Sequence, residues 1–383
     1  MASEVARLIV LLMLGKALTF FTPQISLRCL CAVVSIIYSK DFYLHAPPKS
    51  GYHPENPSRL DIAISALQEN GFSVVEAGDA KPGVDALNIL FRVHEESYVR
   101  RILELCEQGF EGYIDGDTYV SRGSCKAALR AVELTLLAVE RVASGQEDIV
   151  FVLTRPPGHH TGVSGRALGA PTQGFCLFNN IAAGAVYAKL KGFKPIAIVD
   201  IDVHHGNGTQ EIFWRDPEVI HIDIYEWGIY PGTGWLTDIG GEGAEGTKIN
   251  VPLSPGAEDD DYIYTLLKVV EPVIRSAKPK LIMISAGFDA YQNDGLADMR
   301  LTQRFYKTFG ETVKAIAKSL STPIVAVLEG GYSTGLKKGL PAIIKGLTET
   351  QPSKISEEQP KPSEKTKNTI EKLIQTLKQY ITL

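Results

Sequence analysis

Residues 195–208 read Pro-Ile-Ala-Ile-Val-Asp-Ile-Asp-Val-His-His-Gly-Asn-Gly. Pro195 to Ile201 is short, continuous and rich in Ile and Val, the composition of a strand buried on both faces. Asp200, Asp202 and His204 alternate, so they share one face while the chain stays extended. Two carboxylates and an imidazole on one face are costly to bury without a cation. The plainer alternative is a strand end with capping aspartates and a satisfied histidine. The full run, closed by the tight Gly206-Asn207-Gly208 turn, points to a metal site.

Working outward, Ile149 to Leu153, Val219 to Ile224, Lys280 to Ser285 and Pro323 to Leu328 have the same character, and Ser35 to Tyr38 reads as the end of a first strand. Candidate helices lie between them, among them Asn180 to Leu190, Asp259 to Ala277 and Thr302 to Leu320. Alternating strand and helix implies right-handed crossovers and a mostly parallel sheet covered on both faces. The expectation is one α/β domain over residues 34–348.

In open parallel sheets, ligands bind beyond the carboxyl ends of the strands. Three further strand ends carry polar residues. Gly287-Phe-Asp289 follows the strand at Lys280; Asp289 alone reads as a helix cap, but beside Asp202 and His204 it supplies a third ligand. An Asp, His, Asp set leaves positions open, as a catalytic zinc requires, and iron(II) or cobalt suits the same donors. Arg155-Pro-Pro-Gly-His159-His160 follows the strand at Ile149. Its adjacent histidines suit proton transfer, with ligand or plain surface roles as alternatives. Glu329-Gly-Gly-Tyr332 follows the strand at Pro323 and aims a phenol inward, either to hydrogen-bond an oxyanion or as a packed aromatic. Gly174-Phe175 and the stretch from Gly228 through Tyr230 to Gly234 are channel walls or core plugs.

The chain ends differ from this middle. Leu8 to Leu27 is mostly apolar but broken by Lys16 and Pro23. Three readings stand for residues 1–33: an upstream extension from a misassigned start near Val33 or Val34, a buried helix, or a membrane or export segment. Residues 349–367 are rich in Glu, Lys, Pro, Ser and Gln, as a solvated linker is. Ile370, Leu373, Ile374, Leu377 and Ile381 then recur at helical spacing, which predicts an amphipathic tail helix over 368–383 that packs on the body or joins a homo-oligomer. The net charge of −5 gives no expectation of direct nucleic-acid binding. Five scattered cysteines, none in a CxxC pair, argue against a disulfide framework and fit a reducing cytoplasmic setting.

Taken together, these motifs resemble the zinc-dependent histone deacetylase family, which includes acetylpolyamine amidohydrolases and acetoin-utilisation proteins. Arg155 to His160, Gly174 to Asn180, Asp200 to Gln210, Tyr230 to Gly234, Ser285 to Ala290 and Leu328 to Tyr332 occur in the family's order. His53-Pro-Glu55-Asn-Pro57-Ser-Arg59-Leu looks like the early segment of class II-type members. The resemblance spans about residues 36–345 and implies an arginase/deacetylase-type three-layer fold.

By that likeness, Asp202, His204 and Asp289 bind one catalytic Zn2+. His159 and His160 act as the tandem base and acid, and Tyr332 polarises the acetyl carbonyl. Asp200 orients His159. Phe175 and Tyr230 flank the acyl-amine tunnel, with Gly174 at its wall and Leu296 near its rim. Backbone groups around Asp200, Asp202 and His204 hold a structural K+. Substrates would be acetylated protein lysine, acetylated polyamines or small amines. Two departures stand out. Asn207 replaces the aspartate that class I members place behind the second histidine. His221-Ile222-Asp223 replaces a Ser-Leu-His, removing a hydroxyl from the potassium site. The rival readings are a di-manganese arginase-type ureohydrolase and a non-catalytic acyl-group binder.

Overall fold

The computed structural model describes residues 34–48, 52–349 and 359–381; the readings of residues 1–33 lie outside them. In chain order the strands are β1 (Val34–Tyr38), β2 (Val74–Glu76), β3 (Gly112–Tyr113), β4 (Tyr119–Val120), β5 (Ile149–Val152), β6 (Thr161–Gly162), β7 (Gly165–Arg166), β8 (Ile196–Asp200), β9 (Val219–Glu226), β10 (Lys248–Leu253), β11 (Leu281–Ala286) and β12 (Ile324–Leu328). Eight of them form one sheet in the order β10-β9-β8-β11-β12-β5-β1-β2. Every pairing in that sheet is parallel. β3 with β4 and β6 with β7 make small antiparallel pairs.

The five Ile- and Val-rich runs are β5, β8, β9, β11 and β12, and all their residues are buried. A strand covered on both faces has no polar alternation to keep, so the continuous apolar run is the physical signature of its position. Helices flank the sheet: Ser124–Ala143 packs on Asn180–Leu190, and Gln303–Leu320 on Leu340–Thr348. The result is the three-layer α/β arrangement expected above, a parallel sheet with helices on both faces. The stretch predicted as one helix over 259–277 is helical throughout but contains a π turn at Leu266–Val270. Pro272 has no N–H to return to the preceding turn, and its ring needs space there, so the widened turn absorbs the misfit.

The tail helix runs Glu364–Leu377, with Ser363 capping it through Oγ to the Thr366 amide at 3.3 Å. Its apolar face is already used. Ile370, Leu373 and Leu377 are buried, and the helix packs against the edge strand β10 and the helix Asp259–Thr265. The helix therefore takes the first of the two expected arrangements, packing on the body of its own chain.

The cysteine reading needs correction. Cys106 and Cys125 form a disulfide that ties the end of the helix Glu96–Glu107 to the start of Ser124–Ala143. Linear spacing did not show this because the intervening loop and β3–β4 pair fold the chain back on itself. Among the described residues, no helix is long and apolar enough to cross a membrane.

Candidate active site

From β8 the chain proceeds outward to β9 and β10, then returns to β11 on the opposite side of β8 and continues to β12. The loops leaving β8 and β11 thus diverge, opening a crevice at a topological switch point. Asp202 and His204 follow β8, and Asp289 follows β11. His204 Nδ1 lies 3.1 Å from Asp202 Oδ1 and 3.2 Å from Asp289 Oδ2. Backbone amides of His204 and Gly330 donate to the two Asp202 oxygens at 2.9 and 2.7 Å. Val203 N donates to Asp289 Oδ1 at 3.0 Å.

The cluster calls for a cation. Asp289 Oδ2 is buried with no hydrogen-bond donor. Burial, followed by the Asp202 charge, pushes the Asp289 carboxyl up to about 6. Burial opposes charge on His204, yet the adjacent Asp202 and Asp289 carboxylates outweigh that and lift it to about 9. A Cβ on Gly330 would sit 2.1 Å from Asp289 Oδ2 and 2.5 Å from Asp202 Oδ2, so only glycine lets this backbone cradle the carboxylates. The donors fit a divalent ion with open positions.

The loop after β5 brings His159 and His160 to the same crevice, with ring centroids 3.9 Å apart. His159 Nδ1 meets Asp200 Oδ2 at 3.0 Å, and His160 Nδ1 meets Asn207 Oδ1 at 2.8 Å. Burial disfavours a charged His159, but Asp200 and then Asp202 raise its pKa well above the usual value. Burial and the charges of His159 and His204 hold His160 well below it. The His160 ring stands 5.9 Å from that of His204.

Tyr332 arrives from the loop after β12. Asp294 braces that loop, its Oδ2 accepting from Tyr332 N at 2.6 Å and its Oδ1 from Ser333 N and Gly335 N at 2.9 and 2.7 Å. The Arg59 guanidinium lies 4.7 Å over the Tyr332 ring. Arg59 also donates to Gly331 O at 2.6 Å and to Glu329 O. Glu55 holds Arg59 at 3.3 Å and Arg155 at 2.6 Å. Burial outweighs the Arg59 charge and keeps the phenol well above its usual pKa, hence protonated and able to donate.

Phe175 stands edge-on to Tyr332 with centroids 6.0 Å apart. Tyr230 stands edge-on to His160 at 4.9 Å and lies 6.1 Å from His204. A Cβ on Gly174 would meet His160 at 2.5 Å and Tyr230 at 2.8 Å. Gly174 and Tyr230 therefore border the histidine pair, and Phe175 borders Tyr332. Leu296 is 37% exposed, on the loop that carries Asp294, and no ring contact joins it to this group. Asp294 was not singled out from the sequence, and Arg59 and Glu329 stood there only as members of motifs, without a role. Glu329 Oε2 accepts from the amides of Gly158 and His159 at 2.7 and 3.2 Å. A glutamate directly after five apolar strand residues was the available signal for it.

Residues 53–347 match the family model described as "Histone deacetylase domain". The chain belongs to the histone deacetylase family. An uncharacterised protein of Methanocaldococcus jannaschii is 46% identical over 82% of this chain and 88% of its own length. A histone deacetylase-like amidohydrolase of Pseudomonas aeruginosa is 34% identical over 75% of this chain and 74% of its own. The crystal structure of the HDA15 HD domain superposes with a TM-score of 0.79 at 31% identity, covering 91% of this chain and 96% of that one. As a member of the histone deacetylase family, the chain is a hydrolase of the deacetylase or amidohydrolase type.

Proposed function

We propose that the chain is a zinc-dependent deacetylase that hydrolyses the acetyl amide of acetyl-lysine or of acetylated polyamines and small amines. The observation that carries this is the meeting of Asp202, His204 and Asp289 with two differently supported histidines and a protonated phenol in one crevice. When bound by Asp202, His204 and Asp289, zinc polarises a carbonyl and lowers the pKa of a water towards about 7.

The chain's own groups do the rest. His160, held neutral beside Asn207, takes the proton of the attacking water. His159, charged against Asp200, keeps a positive group at the crevice, and the pair returns a proton to the leaving amine. Tyr332 donates to the oxygen that becomes an oxyanion. Phe175 and Tyr230 admit a linear acyl amine, and the Tyr230 hydroxyl is engaged by Thr172 O at 3.0 Å. Family membership displaces the arginase-type reading.

The test is turnover by the full chain on an acetyl-lysine peptide and on an acetylated polyamine, before chelation, after it, and after zinc is restored. Loss and recovery of turnover on at least one substrate is expected. No turnover on either would favour the non-catalytic binder and overturn the reading.

A further inference from the structure

We propose that Glu55 is a positioning residue that holds the histidine loop and the tyrosine loop of the crevice in register through two arginines, a role that rests on the deacetylase reading above. The parts come from distant stretches of the chain. Arg155 opens the loop after β5 that carries His159 and His160, and Arg59 lies on the helix Ser58–Glu69. Glu55 Oε1 lies 2.6 Å from Arg155 Nε and 3.3 Å from the Arg59 guanidinium, and Oε2 accepts from a terminal nitrogen of Arg155 at 3.0 Å. Arg59 in turn donates to Gly331 O at 2.6 Å and to Glu329 O, and its guanidinium lies 4.7 Å over the Tyr332 ring. One carboxylate thus stands between the backbone that leads to the histidines and the backbone that leads to the phenol.

That carboxylate is fixed in advance. The Tyr119 hydroxyl donates to Glu55 Oε2 at 2.8 Å, and His53 Nδ1 faces Glu55 O at 2.8 Å. Asn56 closes the turn, with Nδ2 donating to His53 O at 2.8 Å and Oδ1 accepting from Ser58 N at 2.9 Å. Arg155 also donates to Phe42 O at 2.5 Å, which ties the bridge to the short turn Lys40–Leu44 after β1.

Electrostatics leave Glu55 without a substitute. Glu55, Arg59 and Arg155 are at most 1% exposed. Among the described residues, no other carboxylate lies within ion-pair distance of either guanidinium. Burial opposes the Glu55 charge, but Arg155, His45 and Arg59 outweigh it and hold the carboxyl well below the usual range. Burial lowers His45 itself to about 4, so it carries no charge at neutral pH. A buried guanidinium without a counter-charge is costly, so both arginines are bound to stay where this one carboxylate is. The planar fork of arginine lets each hold the carboxylate on one edge and a backbone carbonyl on another.

A network that only stabilised the fold would behave differently when loosened. Glu55→Asp keeps the charge but is one methylene shorter, so it cannot hold both guanidiniums. Tyr119→Phe is the milder variant, removing a neutral donor to Oε2 and no charge. In the zinc-loaded full chain, hydrogen–deuterium exchange should rise together in residues 155–160 and 329–335 and stay unchanged in β9, more in Glu55→Asp than in Tyr119→Phe. On a substrate that wild type turns over, kcat of Glu55→Asp should fall by up to roughly 100-fold with KM little changed. The loss should shrink in a Tyr332→Phe background, because the two substitutions then act on one interaction. Wild-type exchange in both variants, exchange that rises through β9 as well, or a loss that multiplies in full with that of Tyr332→Phe would overturn the proposal. If wild type turns over neither an acetyl-lysine peptide nor an acetylated polyamine, the deacetylase reading fails, and exchange alone decides the coupling: a rise confined to the two loops supports it, and unchanged exchange overturns it.

Discussion

His159 and His160 are neighbours in the chain, both almost fully buried, with rings 3.9 Å apart. Yet one is driven towards the charged form and the other away from it. Burial acts alike on both. The difference is the charge around each ring: the Asp200 carboxylate meets His159 Nδ1, whereas His160 has the neutral Asn207 amide behind it and the charges of His159 and His204 beside it. Two identical side chains are thereby given different work, because environment sets which one carries the proton.

The largest expected effect comes from His160→Ala. As the neutral member it has no substitute, so kcat/KM should fall roughly 100- to 10,000-fold, the range for a positioned general base. Steady-state assays on the same substrate should show a larger loss than for His159→Ala. The reverse order would reassign the base to His159.

Tyr332→Phe comes next. Losing one oxyanion donor should lower kcat roughly 100- to 1,000-fold. It leaves both histidine partners untouched, so the flanks of the pH–rate profile should stay where they were. Near-wild-type turnover in that variant would remove Tyr332 from the chemistry.

A direct test of the asymmetry is Asn207→Asp. A carboxylate at this distance favours the charged imidazole by roughly one to three pKa units. His160 works as a base only when neutral, so the acid limb of kcat/KM must move to higher pH. The limb should move up by roughly one to three pH units, while the alkaline plateau holds. An acid limb that does not move would mean that another group controls it.

The parts of this site that could be read in the sequence share a physical property. Asp202, His204, Asp289 and Tyr332 each sit within a few residues of a buried strand rich in Ile and Val, and strand ends at a parallel sheet's carboxyl edge converge whatever the loops do. β10 could not be read that way: Lys248, Asn250 and Pro252 interrupt it, and only its register with β9 makes it a strand. Long-range partners were equally hidden. Asp294 lies 38 residues from the Tyr332 amide it holds, and Glu55 lies 100 residues from Arg155. Asn207 and Asp200 were legible because each lies close in sequence to Asp202 and His204. The Cys106–Cys125 bond depends on a return of the chain that no periodicity announces.

The smallest effect is expected at Glu329, which supports the loop carrying both histidines. Its Oε2 accepts from Gly158 N and His159 N, while Oε1 is buried without a partner. Burial is the main influence on this carboxyl, and His159 only partly offsets it, leaving its pKa at about 7. Below that pH the group is a neutral acid, and glutamine reproduces its shape and its accepting oxygen. Above it, the carboxylate makes charge-assisted bonds to the two amides and faces a charged His159, which glutamine does not reproduce. Glu329→Gln should therefore match wild type at pH 6 and fall behind at pH 8, by roughly fivefold if the charged bonds are worth about 1 kcal/mol more than neutral ones. A uniform loss across the range would instead mean that the substitution displaces the loop, and that the charge of Glu329 has no part in keeping the two histidines different.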